Sequence, residues 1–89
     1  MRAIISVIGK DKAGIIAKVS QVLYKANANI LDISQTIMQD MFTMVMLTDI
    51  SKISMDLSSL NEALAVVGKE MNVDIRVQHE DLFNSMHRI

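Results

Sequence analysis

A short polar loop between two glycines, Gly9-Lys10-Asp11-Lys12-Ala13-Gly14, carries the residues with the clearest chemical potential. It leads into an amphipathic helix, whose first turn offers unpaired backbone N–H groups and a dipole that favours an anion such as a carboxylate. The side-chain oxygens of Asp11 and Asn29 can accept hydrogen bonds from an ammonium group. These groups together predict a site for an α-amino acid. An ordinary strand-to-helix turn, with Gly14 relieving backbone strain, is the simpler interpretation, and the spacing alone favours it.

Two histidines near the C-terminus, His79 and His87, lie close to Glu80 and Asp81, and all four are residue types that bind metal ions. A spacing of eight residues on a helix turns the two imidazoles about 80° apart, so one ion would not bridge them. Glu80 and Asp81 are sequence neighbours whose side chains point apart on a helix. We therefore expect neither a metal site nor a cofactor.

The chain offers little for catalysis. It has no cysteine, and both histidines lie in its C-terminal part, so neither a thiolate nucleophile nor a histidine-activated serine is expected. The sequence therefore predicts a protein that is not an enzyme.

Composition limits the number of domains and the classes of partner that this chain can have. The 89 residues are 51% hydrophobic and 21% charged, which predicts one folded domain. A net charge of −1 and the scarcity of aromatic residues (one tyrosine and two phenylalanines) argue against nucleic-acid binding. No apolar run approaches the roughly 18 residues of a membrane span, and no signal-peptide pattern precedes the first strand, so we expect a cytoplasmic protein. A domain this small gains stability by oligomerisation.

Hydrophobic periodicity places the loop between a strand and a helix. Residues 3–8 are apolar on both alternating faces, which is typical of a strand covered on both sides. A helix is predicted to begin at Ile15 and to end near Asn27. Its apolar face consists of Ile15, Ile16, Val19, Val22, Leu23 and Ala26. Two strands, residues 29–39 and 42–48, follow around a tight turn.

The second half repeats the pattern. Asp56 is a predicted N-cap for a helix with apolar residues at Leu57, Leu60, Leu64, Val67 and Met71. Residues 73–78 alternate between apolar and polar types and predict a strand with one solvated face. Residues 80–87 form a predicted short amphipathic helix with Leu82, Phe83 and Met86 on one side. Eight methionines, five of them in or next to the middle of the chain, are best interpreted as core filling and interface rather than as an adaptable partner surface.

The order β-α-β-β-α-β predicts an α+β, ferredoxin-like sandwich, with a four-stranded antiparallel sheet and two helices on one face. The first and third strands should be central. We expect a domain over residues 1–79 and a helical extension over residues 80–89. Either Ile4 and Ile8, or Ala3, Ile5 and Val7, must point to the face without helices, which either the C-terminal helix or a second chain should cover.

The loop and the start of the second strand resemble the ACT domain family. The resemblance rests on residues 7–17 (VIGKDKAGIIA), which contain an Asp-x-x-Gly-apolar-apolar turn, and on residues 29–33 (NILDI), which open with Asn-Ile. It covers the whole chain in element order. The sequence is most similar to small stand-alone ACT proteins of a group related to the glycine-cleavage repressor.

This resemblance implies a regulatory module that binds a small amino acid at the interface of a homodimer. ACT domains commonly pair side by side, and the ligand lies between the β1–α1 loop of one chain and the start of β2 of its partner. By position, the ligand-binding residues would be Asp11, Ala13, Gly14 and Ile15 on the loop side, with Asn29 and Ile30 on the partner side. The chain departs from the pattern at Ala13, where proline is usual, and at Gly9, where some serine-binding members have histidine.

Two other functions remain open. One is a protein-interaction or assembly module that has kept the fold without the ligand. The other is an enzyme similar to acylphosphatases, which share the element order and hold a phosphate in the β1–α1 loop with an arginine. Here the loop offers only Lys10 and Lys12, and a lysine does not replace the bidentate fork of an arginine.

Overall fold

The structure is a computed structural model that describes residues 1–10 and 13–80. Asp11, Lys12 and the predicted helical extension beyond residue 80 lie outside the described residues. The described elements are β1 (Arg2–Lys10), α1 (Ile15–Lys25), β2 (Asn29–Met38), β3 (Met41–Asp49), α2 (Leu57–Met71) and β4 (Val73–His79). The predicted β-α-β-β-α-β order is therefore confirmed.

The four strands form one antiparallel sheet in the order β2-β3-β1-β4, so the first and third strands are central as predicted. β1 pairs with β3 from Arg2 opposite Asp49 to Lys10 opposite Met41. β2 pairs with β3 with a register shift between Ile30 and Asp32, where Leu31 is the extra residue of a bulge. The sheet thus has two edges, and β2 forms one of them.

The helices cover one face of this sheet. Ala3, Ile5 and Val7 are fully buried in the core with α1 and α2, so the second of the two predicted arrangements of β1 is the observed one. Ile4 and Ile8 consequently point to the opposite face. α1 lies on the β2 side of the layer and α2 on the β4 side.

Local signals account for the helix ends. Asp56 caps α2, because its carboxylate accepts a hydrogen bond of 2.8 Å from the backbone N–H of Ser59. α2 ends at Met71 and is followed by its C-cap residue Asn72, which has the left-handed conformation with φ of 57°. Asn27, close to the end of α1, is also left-handed, with φ of 61°. Both asparagines suit this conformation, in which most residues with a Cβ are disfavoured.

One residue of the predicted apolar face of α1 is more exposed than expected. Ile16 is 41% exposed, whereas Ile15, Val19 and Leu23 are buried. Ile16 lies four residues before Ser20 and eight before Tyr24, on the same row of α1, and Ser20 and Tyr24 line a depression between α1 and β2. The described sheet ends at β2, so this row has little to pack against.

The methionines divide between core and surface. Met44 and Met46 are fully buried on β3, while Met38 and Met41, beside the β2–β3 turn, are 70% and 44% exposed. Met55 packs at the margin of the core. Core filling, one half of the favoured interpretation, is confirmed.

Candidate ligand-binding site

The end of the β1–α1 loop is shaped for a helix start without a side-chain cap. Gly14 occupies the N-cap position of α1 with φ of 90°, a left-handed conformation in which a Cβ would be strained. Its carbonyl accepts the first helical hydrogen bond, 3.0 Å from the N–H of Lys18. Because glycine has no side chain, the N-cap residue supplies no oxygen to the first N–H groups of α1. An external anion could use them.

The predicted loop residues differ in what they can offer a ligand. Ala13 and Gly14 are exposed, whereas the side chain of Ile15 is buried in the core at 2% exposure. Ile15 can therefore contact a ligand through its backbone N–H and not through its side chain. Asp11 lies outside the described residues.

Gly9 is explained by its neighbour in the sheet. It belongs to β1 and pairs with Val73 of β4. A Cβ at position 9 would lie 2.6 Å from Cγ1 and 2.9 Å from Cβ of Val73, closer than nonbonded carbons approach. The glycine that stands where some serine-binding members have histidine is thus matched to the β-branched side chain opposite it.

Asn29 and Ile30 lie at the start of β2. Asn29 is exposed and pairs with Asp49, while Ile30 pairs with the buried Thr48 and packs at the margin of the core. The bulge at Leu31 sets this register. Asn29 thereby faces solvent at the open end of β2, with its side-chain amide available for a hydrogen bond.

Asn29 borders two surface depressions. One, of ≈ 230 Å³, is lined by polar residues: Asn27, Asn29, Asp49, Ser51 and Lys52. The other, of ≈ 240 Å³, lies between α1 and β2 and is lined by Ser20, Leu23, Tyr24, Ala28, Asn29 and Ile30. Each is large enough for a small organic molecule, and both contain the predicted Asn29.

The polar depression contains three residues that sequence reasoning missed: Asp49, Ser51 and Lys52. The carboxylate of Asp49 accepts hydrogen bonds from the N–H of Ser51 at 2.9 Å and from its hydroxyl at 2.7 Å. These hydrogen bonds lower the pKa of Asp49 below its ordinary value of 3.8. The Lys52 carbonyl accepts a hydrogen bond of 2.9 Å from the Asn27 side chain, which ties this loop to the end of α1. An anion and a cation therefore both border Asn29.

Within one chain the two halves of the predicted site do not meet. Lys10, Met41 and Met38 share one end of the sheet, and Arg2, Asp49 and Asn29 share the other. Eight residue steps along β1 separate these ends by about 27 Å. The loop follows Lys10, so Ala13, Gly14 and Ile15 lie together at the first end, while Asn29 and Ile30 lie at the second.

The β2 edge is apolar where a solvated edge strand would be charged. Leu31, Ile33, Ile37 and Met38 are 41–70% exposed along this strand. An edge strand with unpaired backbone groups and apolar side chains is a template for pairing with another strand. This edge also adjoins the exposed row of α1 that contains Ile16 and Tyr24.

Other functions can be assessed only within the described ranges. Among residues 1–10 and 13–80, no three acidic or histidine side chains come together to hold a metal ion. In the same ranges, no helix is long and apolar enough to cross a membrane.

The fold is that of a small α+β, ferredoxin-like domain. The family model for the ACT domain matches residues 2–78, so this chain belongs to the ACT domain family. Such domains are typically regulatory modules that bind small molecules.

Two relatives of similar length support this assignment. A UPF0237 protein of Methanococcus maripaludis is 59% identical over 86 residues, which cover 97% of this chain and 96% of that protein. An ACT domain protein from Streptococcus pneumoniae superimposes with a TM-score of 0.80 at 38% identity, covering 93% of both chains. A candidate glycine cleavage system transcriptional repressor shares the fold, with a TM-score of 0.72 at 20% identity over 89% of this chain and 47% of that one. The predicted resemblance is confirmed.

The contact between Gly9 and Val73 can be tested by a double-mutant cycle. We expect Gly9→Ala to lower the free energy of unfolding by about 1–3 kcal/mol, because the added methyl group overpacks against Val73. Val73→Ala removes the closer of the two contacting atoms, so part of that loss should disappear in the double variant. Chemical denaturation of all four proteins measures the coupling. Strictly additive losses would contradict the packing explanation.

Asp49 should contribute to the pH dependence of stability. Its pKa is lower in the folded chain than the ordinary value of 3.8, so its contribution is complete above that value and is lost as the pH falls through the lower, folded-state pKa. We expect Asp49→Asn to flatten the decline in unfolding free energy below about pH 5. Urea denaturation between pH 6 and pH 2.5 measures the unfolding free energy of both proteins as a function of pH. Asp40→Asn, at the exposed β2–β3 turn, is the control, and an equal flattening there would contradict the assignment.

Proposed function

We propose that the protein is a non-catalytic regulatory module that binds a small amino acid at a homodimer interface. In this proposal the ligand lies between the β1–α1 loop of one protomer (Asp11, Ala13, Gly14 and Ile15) and the start of β2 of its partner (Asn29 and Ile30). The observation that carries it is the separation of these two groups by the length of the sheet within one chain. A site built from both requires a second copy.

Antiparallel pairing of two β2 edges would supply that copy in the required orientation. A two-fold axis near Ile33 and Ser34, in the middle of β2, brings the first residues of one β2 beside the last residues of the other. The partner's Asn29 then lies at the end of the sheet that carries Gly14. The exposed apolar side chains of β2 support this pairing, because it would remove them from water.

The chemistry of the two halves suits the two charged groups of an amino acid. The N–H groups at the start of α1 favour the carboxylate, and the side-chain oxygen of the partner's Asn29 accepts a hydrogen bond from the ammonium group. Asp11 would add a negative charge close to the ammonium group. Ala13 and Gly14 present little side chain, which favours a small ligand.

Regulation would follow from the position of the ligand across the interface. A ligand that contacts both protomers stabilises the interface geometry in which both contacts are made, and a partner protein can read that geometry. The shift in population cannot exceed the difference in ligand affinity between the two geometries, so weak binding would give weak regulation.

The interface is tested with one charged residue on the β2 edge. Ile37 is 55% exposed near the end of β2, so a lysine in each chain would place a charge at both ends of the proposed interface. We expect Ile37→Lys to convert a dimer to a monomer, measured by light scattering at fixed protein concentration. Val66→Lys, at a 64% exposed position of α2, is the matched control and should remain dimeric. A dimer that survives Ile37→Lys would place the interface elsewhere.

The ligand is tested by a thermal-shift screen against the twenty amino acids at millimolar concentration. A ligand at about 100 times its dissociation constant adds roughly 2.7 kcal/mol of stability, or several degrees for a domain of this size. Asn29→Ala should abolish the shift, while Asn61→Ala, at an exposed position of α2, should keep it. A flat screen with an intact dimer would favour the ligand-free interaction module instead.

Mixed dimers test whether the site is shared between chains. Homodimers of Asn29→Ala and of Asp11→Ala should each lack a complete site. A heterodimer of these two variants, purified with two different tags, retains one complete site, formed by the loop of the Asn29→Ala chain and Asn29 of the other chain. Calorimetry should therefore find half as many sites per chain as in the unmodified dimer. No recovery of binding would contradict a shared site.

A further inference from the structure

The sheet face opposite the helices carries a short apolar stripe. It consists of Ile4 and Ile8 on β1 and Val45 and Leu47 on β3, the two central strands. Ile4 pairs with Leu47, and Val45 pairs with Ser6 between the two isoleucines. Polar residues flank the stripe on both sides: Asp32, Ser34 and Thr36 on β2 and Asp74, Arg76 and Gln78 on β4.

The two ends of this stripe differ in burial. Ile4 is only 8% exposed, although it points away from the helices and is not part of the core cluster. Ile8, four residues further along β1, is 44% exposed. Val45 and Leu47 are half-buried. The buried end is the one beside Arg2.

An ion pair holds the chain at that same end. Arg2 donates two hydrogen bonds of 2.6 Å, from Nε and Nη2, to the two carboxylate oxygens of Glu80. Arg2 is two residues from Ile4 and therefore points to the same face of the sheet as the stripe. Glu80 is the last described residue, so the chain leaves β4 held towards this face and next to its buried end.

Nine residues follow Glu80, and their pattern matches the stripe. At helical spacing, Leu82, Phe83, Met86 and Ile89 fall within an arc of about 120°, with polar residues on the remaining circumference. A helix of nine residues is about 13 Å long, and four residue steps from Ile4 to Ile8 also span about 13 Å. The segment has both the length and the apolar face to cover the stripe.

We propose that residues 81–89 lie across the apolar stripe of their own chain. The bidentate pair between Arg2 and Glu80 joins two residues of one chain and directs the segment onto that chain's sheet. Because Glu80 is bound to Arg2, only two residues from Ile4, the segment can reach the stripe without any exchange between protomers. The inference does not depend on the proposed ligand.

This arrangement has a consequence for assembly. A segment on the open face prevents two copies from stacking face to face through their sheets. Of the two exposed apolar surfaces described, the β2 edge is then the one left for a second copy. The C-terminal residues would thus direct association to the edge of the sheet.

The proposal is tested by a disulfide trap in the full chain, which has no cysteine of its own. Ser6→Cys lies on β1 in the middle of the stripe, and Met86→Cys lies on the apolar side of the segment. Under mild oxidation we expect this pair to form an intrachain disulfide in most molecules, seen as a faster-migrating monomer on a non-reducing gel and as loss of alkylation. Val66→Cys with Met86→Cys is the control and should remain reduced, because Val66 is exposed on α2.

Each other result overturns the proposal. A disulfide-linked dimer from Ser6→Cys with Met86→Cys would mean that the segment covers a second copy. A yield no higher than the control would mean that the stripe is bare or covered by something else.

A second pair of variants removes the dependence on engineered cysteines. Phe83→Asp should lower the melting temperature by roughly 5–10 °C, since it places a charge against the stripe. Asn84→Asp adds the same charge on the polar side of the segment and should shift the melting temperature by about 1 °C or less. Equal shifts in the two variants would overturn the proposal.

Discussion

Strand β1 forms backbone hydrogen bonds with β3 on one side and β4 on the other, and this central pairing determines where the other features lie. Alternate side chains of β1 define the two faces of the sheet, so Ala3, Ile5 and Val7 enter the core while Ile4 and Ile8 line the open face. The antiparallel register also carries the chain the full length of the sheet between the β1–α1 loop and the start of β2. A site that uses both must therefore be shared between two chains.

The fold could be predicted from the sequence because each element has a strong local signal. The alternation of Val73 to Gln78, the cap at Asp56 and the apolar spacing of α2 each agree with the structure. The family resemblance rested on the turn before α1 and on Asn29-Ile30, where Ala13, Gly14 and Asn29 are exposed. The family pattern therefore drew partly on surface residues that the hydrophobic periodicity does not use, and both reached the same fold.

The surroundings of Asn29 could not be predicted in the same way. From the β2–β3 turn, regular pairing would place Asn29 opposite Ile50, and the bulge at Leu31 shifts its partner to Asp49. No residue type in this segment marks a bulge, since Leu31 is neither glycine nor proline. Gly9 is a similar case, because the side chain that leaves no room for a Cβ at position 9 belongs to Val73, which is 64 residues away in the sequence. Both depend on contacts between strands that are distant along the chain.

A ligand shared between two chains couples its own binding to dimer formation. If the carboxylate is held by the start of α1 and the ammonium group by the partner's Asn29, a monomer can make only half of the contacts. Ligand then strengthens the dimer by the same factor by which dimer formation strengthens ligand binding, as linkage requires. In the proposed dimer, the exposed apolar residues of β2 would set the affinity of the chains without ligand, and hence how far the ligand can change that affinity. A weakly associating edge leaves the ligand the greatest range of control, whereas a tight one would keep the dimer formed whether or not ligand is present.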